Sequence, residues 1–490
     1  MRMGTDPPPS IEPTGSIDPV AERQLLIVLD GLRPDYVTPD LMPNLHALGE
    51  RGVIFTNHHS VYPTVTRVNA ASVSTGAYPQ VHGLLGNAVF FPAVDSTRFL
   101  STSDRDNLLQ VAASESSGLL TASTLGECLQ AAGHRLLVVS AGSTGSSYLL
   151  NHHVAGGGII HYDYALPAPL EAEVRERLGA VPPADMPNDA RNRYVVDAFL
   201  KVGLPRVDPA VTLMWLSEPD TSAHAHGIGH PTSIAALRGV DDEIGRIQDE
   251  LRTAGLFDDV NIWVTSDHGF STHMGGVDLE SVLGPFSGTL ADGTPRIVAG
   301  GGAIYVRDGD RDTVVAIVEA LQREERVGAI FTRGGRAPGT LSFDHIRWNH
   351  DRAADVLFSP AWSDDENTFG YGGTVASDGV AGHGSASPRD IHNTLIAAGP
   401  DVKSGIRIAS PTANVDFAPT FLFLFGVDAP PTMEGRVLHE ALNGGPDESV
   451  DWQTEDVSAE TADGRYRVTA QMTVLDRHRY LDHARVERRR

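Results

Sequence analysis

Two apolar runs far apart in the chain end in the same way, on a carboxylate closely followed by a glycine. Leu25-Leu26-Ile27-Val28-Leu29 stops at Asp30-Gly31, and Val260-Asn261-Ile262-Trp263-Val264-Thr265 stops at Ser266-Asp267-His268-Gly269. A near-continuous apolar run is the pattern of a strand buried on both faces, so each run delivers its acid to the edge of a covered sheet. Thr66, Asp220, His224 and His383 are further metal-ligand residue types placed beside glycines or at element ends. Asp30, Thr66, Asp220, His224, Asp267, His268 and His383 lie hundreds of residues apart, and that scatter predicts one dinuclear metal site assembled by a fold. Oxygen and imidazole donors together suit zinc, with manganese or iron behind it. The chemistry to expect is hydrolytic.

Strand-like runs alternate with helix-like segments along the chain. Leu25 to Leu29, Arg135 to Val139, Val211 to Leu216, Asn261 to Thr265 and Thr394 to Ala398 read as strands. Met42 to Arg51, Leu170 to Leu178, Asp189 to Val202, Ile234 to Ala254 and Arg311 to Arg323 read as helices. That order predicts an α/β fold with a mostly parallel central sheet flanked by helices. A chain of 490 residues has room for one large catalytic domain plus a subdomain. The expected division is a disordered leader over 1–22, a catalytic domain over 23–446, and a strand-rich extension over 447–490 that packs on it. A cap is expected to be inserted at about 270–348, where glycines cluster among short strand and helix signals.

The net charge of -25 argues against a nucleic-acid polymer as partner, because phosphate backbones are bound through basic stripes. Small phosphorylated substrates remain open, since bound cations dominate the local field. Cys128 is the single cysteine and reads as a small buried hydrophobe. The leader has no apolar core of a signal peptide, and Phe417 to Phe425 is too short for a span and contains Pro419. A cytoplasmic protein without membrane contact is therefore expected. Oligomeric state has no signal in the sequence.

Val61-Tyr62-Pro63-Thr64-Val65-Thr66-Arg67-Val68-Asn69 leads into a run of small residues and offers a hydroxyl at a helix entrance. Free N–H groups and the positive end of the dipole favour an arriving phosphoryl anion there. Read alone, Thr64 or Thr66 serves equally as a simple N-cap.

The motifs in order resemble the nucleotide pyrophosphatase/phosphodiesterase branch of the alkaline phosphatase superfamily. They are Leu29-Asp30-Gly31-Leu32-Arg33-Pro34-Asp35, Pro63 to Asn69, Thr75-Gly76-Ala77-Tyr78-Pro79 to His82-Gly83, and Gly86-Asn87. Glu218-Pro219-Asp220 with His224, Ser266-Asp267-His268-Gly269 and Gly382-His383-Gly384 come next, so the likeness runs from about Leu25 to Gly426. The resemblance implies that Asp30, Asp267 and His268, with Thr66, hold one metal ion, and that Asp220, His224 and His383 hold the other. It implies Thr66 as nucleophile, a phosphothreonine intermediate, and Asn87 as a donor to a phosphoryl oxygen. His226 offers a second register beside His224, but only His224 has the family's spacing from Asp220. His82 and His273 read as supporting residues, and Phe90, Phe91 and Pro92 as core or as a wall for a leaving group. The chain departs from the family at Arg67, where nucleotide-cleaving members carry an aromatic residue. Arg67 is either a helix-surface residue or a reader of substrate charge. Phosphonoacetate hydrolase-like or phosphomonoesterase activity is the enzymatic alternative, and a catalytically silent binding homologue the other.

Overall fold

The computed structural model describes residues 17–446 and 450–489. The central sheet contains β1 (Arg23–Leu29), β2 (Val53–His59), β3 (Leu136–Ser140), β4 (Gly158–His161) and β5 (Ala165–Leu166). It continues with β6 (Val211–Leu216), β7 (Val260–Thr265), β8 (His392–Ala398) and β9 (Ile406–Ile408). Their spatial order is β9-β2-β8-β7-β1-β6-β3-β4-β5. The sheet is mostly parallel, with β8 antiparallel to both β2 and β7 and β5 antiparallel to β4.

β1 lies near the middle of the sheet, between β6 and β7, and this explains its unbroken apolar run. Leu26 and Val28 enter the core on one face of the sheet, while Leu25, Ile27 and Leu29 enter the core on the other. Helices that flank the sheet or its edge include α1 (Pro43–Arg51), α2 (Thr66–Thr75), α3 (Asp220–His226) and α4 (Pro231–Thr253). α4 lays Leu237, Val240 and Ile244 on the second face, and α2 lays Ala70, Ala71 and Val73 on the first. The expected helix from Asp189 to Val202 runs as Asp189–Ala198 and then widens into a π-helical turn, Phe199–Gly203.

Parallel pairing puts the carboxyl ends of β1, β6 and β7 on one edge, where ligands of open α/β sheets bind. The register pairs Leu29 with Leu216 and Val28 with Thr265, so the chain leaves all three strands at nearly the same level.

A second sheet runs Ile297–Gly300, Ala303–Val306, Val356–Pro360, Val327–Thr332, Leu341–Ser342 in space. Its middle strand is contributed by residues beyond 348, because Val356–Pro360 pairs antiparallel with a neighbour on each side. A three-stranded sheet closes the chain, Gln453–Glu460, Tyr466–Leu475 and His478–Arg488. Residues 1–16 of the expected leader and 447–449 of the expected extension lie outside the described residues. Nearer the sheet, the Val20 and Ala21 amides donate to the Asp401 carboxylate.

Candidate metal centre

The turn after β1 sets the frame of the site. Gly31 has φ +74°, and a Cβ there would lie 3.0 Å from the Phe270 ring and 3.2 Å from Asp220 Cβ. Only glycine accepts both the conformation and the approach. The Gly31 amide donates to Asp267 Oδ1 at 3.1 Å, and the Asp220 amide donates to the Asp30 carbonyl at 2.9 Å. Backbone bonds thus fix three carboxylates around one point.

His268 Nε2 lies 3.0 Å from Asp267 Oδ2, 3.3 Å from Thr66 Oγ1 and 3.6 Å from Asp30 Oδ1. Asp220 Oδ1 lies 3.2 Å from His224 Nε2 and 3.4 Å from His383 Nε2. Ligand atoms on a tetrahedral zinc ion sit about 3.3 Å apart, given metal–ligand bonds of about 2.0 Å. The side chains match that spacing. The His268 and His383 rings stack with centroids 3.4 Å apart, which joins the two groups into one centre.

Two observations test whether a metal fits. Asp30 Oδ1, Asp220 Oδ1 and Asp267 Oδ2 are buried and accept no hydrogen bond, a costly state for a carboxylate unless a cation serves it. Each of the three histidines also turns Nδ1 to a backbone carbonyl: His224 to Ala381 at 2.9 Å, His268 to Gly269 at 3.0 Å and His383 to Thr64 at 2.8 Å. Those carbonyls take the Nδ1 protons, which leaves the Nε2 lone pairs facing inward, as metal-binding histidines are held. Burial, with Asp267 and Asp220 close by, pushes the Asp30 carboxyl well above the usual range. Burial also opposes charge on Asp220, but His224 and His383 hold it below that range. A divalent cation relieves this crowding of acids.

Thr66 is the first residue of α2 and is buried. Asn87 Oδ1 accepts the Arg67 amide at 3.1 Å, which pins the side chain. Burial pushes the Arg67 guanidinium down while Asp30, Asp220 and Asp267 pull it up. Its Nε is buried without a partner. Of the two histidine registers, His224 enters the cluster, whereas His226 stacks on His230 with centroids 4.8 Å apart. His82 is buried and hydrogen-bonds Ser72 and the Leu84 amide, and His273 holds the Asp378 carbonyl beside the site.

A cavity of about 360 Å³ opens from Asn87 and His383 toward the second sheet, with Tyr62, Phe99, Tyr305 and Trp348 among its walls. Phe90 and Phe91 stand behind this wall, in the core. Tyr62 belongs to the segment that carries Thr66, whereas Phe99, Tyr305 and Trp348 sit in ordinary sequence contexts and are brought to the site by tertiary packing. Trp215 has the same history: it reads as a core residue of β6, yet its indole donates to Asp30 Oδ2 at 2.9 Å.

An α/β sheet with helices on both faces carries an Asp/His cluster at its carboxyl edge, and the fold is alkaline phosphatase-like. The chain belongs to the type I phosphodiesterase / nucleotide pyrophosphatase family, whose model matches residues 24–364. It is 26% identical over 290 residues to a bis(5'-adenosyl)-triphosphatase of Xenopus laevis, a match covering 58% of this chain and 55% of the relative. It is 27% identical over 251 residues to ectonucleotide pyrophosphatase/phosphodiesterase family member 1 of Rattus norvegicus, covering 50% of this chain and 24% of that one. The chain spans about half the length, or less, of the curated relatives it matches. Among solved structures, human ectonucleotide pyrophosphatase/phosphodiesterase 5 superimposes with a TM-score of 0.61 at 18% identity, covering 86% of this chain and 100% of that one. An inactive form of the murine protein, in complex with AMP, superimposes with the same score, 0.61. These names correct the cytoplasmic expectation, because they are those of ectonucleotide enzymes. Neither a lone cysteine nor the lack of a long apolar helix separates one compartment from another. No described helix is long and apolar enough to cross a membrane.

Proposed function

We propose that this chain is a metal-dependent phosphoric ester hydrolase of the phosphodiesterase/nucleotide pyrophosphatase type, working through a phosphothreonine on Thr66. The reading is carried by the Thr66 hydroxyl, which faces His268 Nε2 at 3.3 Å beside three carboxylate oxygens that lack hydrogen bonds. Asp30, Asp267 and His268, with Thr66, would hold one divalent ion, and Asp220, His224 and His383 a second, zinc suiting both donor sets. Bound there, two cations lower the pKa of a hydroxyl and stabilise a leaving oxygen. Thr66 Oγ gives up its proton and attacks phosphorus as the P–O bond to the ester oxygen breaks, and that oxygen leaves with the bonding pair and takes a proton. Water then attacks phosphorus, loses a proton, and the bond to Thr66 Oγ breaks to restore the hydroxyl. Asn87 Nδ2 and the open N–H groups at the start of α2 hold the phosphoryl oxygens meanwhile.

Residues 23–446 act as the catalytic unit in this proposal, with the second sheet as a cap over the leaving group. Relatives named for bis(5'-adenosyl)-triphosphate cleavage and a neighbour holding AMP support a small phosphorylated substrate of nucleotide type. The aromatic walls of the cavity suit such a leaving group. Arg67 favours a second reading, in which the substrate carries extra negative charge, because its buried Nε is unpartnered. Thr66→Ala should abolish hydrolysis of an aryl phosphodiester while metal content stays near that of the parent. Retained turnover refutes the nucleophile. Parallel rates on monoesters and diesters decide between the two substrate readings.

A further inference from the structure

A third cluster of metal-ligand side chains lies away from the Asp/His centre at the carboxyl edge. His59 ends β2, His392 begins β8, and Asp482 belongs to the last strand of the C-terminal sheet. Their ligand atoms all lie within 4.8 Å of one another. His59 Nε2 is 3.0 Å from Asp482 Oδ1, and His392 Nε2 is 3.7 Å from that same oxygen. These spacings bracket the edge of about 3.3 Å expected of a tetrahedral zinc site.

The hydrogen bonds around His59 do not close with a neutral ring. Its Nδ1 faces the Thr412 carbonyl at 2.9 Å, and its Nε2 faces the Asp482 carboxylate. Both partners are acceptors, and a neutral imidazole has one N–H. A cation must stand between Nε2 and Asp482, either a proton or a metal ion. A proton serves one contact; a metal ion serves His59, His392 and Asp482 together. His392 Nε2, at 3.7 Å, is beyond hydrogen-bond reach of that carboxylate oxygen. The carboxylate is also held from outside, since Thr473 Oγ1 lies 2.9 Å from each of its oxygens. Metal-bound carboxylates are oriented in this way.

We propose that His59, His392 and Asp482 bind a structural divalent transition-metal ion, zinc by donor type, which fastens the C-terminal sheet to the central one. The same strand is also tied to the rest of the fold by the Ala484 amide, which donates to Ala386, by the Trp362 indole, which donates to the Ala484 carbonyl, and by the Tyr480 hydroxyl, which accepts from Arg436 and donates to Asp416. His392 is half-buried, so an ion enters from its side without unfolding the sheet. The site is independent of the proposed hydrolytic function.

The test counts zinc in the purified full-length chain by mass spectrometry after exhaustive dialysis. A His59→Gln, His392→Asn double variant should hold one equivalent fewer than the parent, with its aryl phosphodiester rate unchanged and its melting temperature lower. Equal zinc content in the folded variant overturns the proposal. Should the double variant fail to fold, the chain carrying Asp30→Asn, Asp220→Asn and Asp267→Asn still presents the third cluster intact. That chain should bind one zinc equivalent and melt higher with it, and a chain that binds none shows that a proton fills the gap instead.

Discussion

Trp215 holds the carboxylate of Asp30 by a single indole bond of 2.9 Å, in a place where water does not reach. Replacing a supporting group of this kind weakens metal affinity by about 10–100-fold. Trp215→Phe keeps the ring packing and should show that loss in a zinc competition titration, with the fold intact by circular dichroism. His82 belongs to a different class of residue, a neutral imidazole whose Nδ1 accepts the Leu84 amide and whose Nε2 meets Ser72. Burial, helped by His350 and Arg352, pushes it down to about 3. Its folded pKa therefore lies below the unfolded value of about 6.5, so the unfolded chain alone takes up the proton as pH falls between the two. Stability should be lost through that window, at up to about 1.4 kcal/mol per pH unit for this group. Urea denaturation of His82→Gln at pH 7.5 and 5 should show a smaller fall than in the parent. Asp30 was legible as a site residue from the run that precedes it, and His82 as a supporting one. Trp215 was not, because an aromatic inside an apolar run looks the same whether its N–H is idle or holds a ligand.

Among the elements, the β1 turn carries the most consequence for the least chain. Gly31→Ala would set a methyl 3.0 Å from the Phe270 ring at φ +74°. A residue with a Cβ is strained in that conformation, and the cost exceeds about 1 kcal/mol. Since the same methyl would press on Asp220, the variant should lose zinc affinity as well as thermal stability, measured on one sample by titration and melting. Five strands and five helices were readable from periodicity, and each has an observed counterpart. β2 was not read, because Val53 to His59 mixes Thr, Asn and two histidines into its pattern. Those polar positions meet partners far away in the chain: His58 bonds Thr412 and Asn414, and His59 faces the Asp482 carboxylate. The second sheet draws on Val356–Pro360 because strand pairing is not local, and no periodicity within 270–348 announces a partner outside it.

For the molecule as a whole, the centre is a junction of β1, β6 and β7 with α2 and the loop bearing His383, and buried acids repel one another across it. Chelation should therefore lower the melting temperature as well as stop turnover, and added zinc should restore both, by mass action on the folded state. A melting temperature indifferent to chelator would mean that the site holds its shape without a cation. The amino-acid sequence by itself determined the α/β alternation, the parallel character of the sheet and the residue types of the centre. Those come from local regularities: apolar runs, strand ends, glycines and spacings of a few residues. Tertiary structure alone decided that Asp220 sits between two histidine groups, that Trp215 braces Asp30, and that a second sheet lines the cavity beside Asn87. It also decided where β2 and the C-terminal sheet meet, bringing His59, His392 and Asp482 together. The physical reason is the same in each case: a contact between residues hundreds of positions apart depends on strand order and register, and neither is written in the pattern of any one segment.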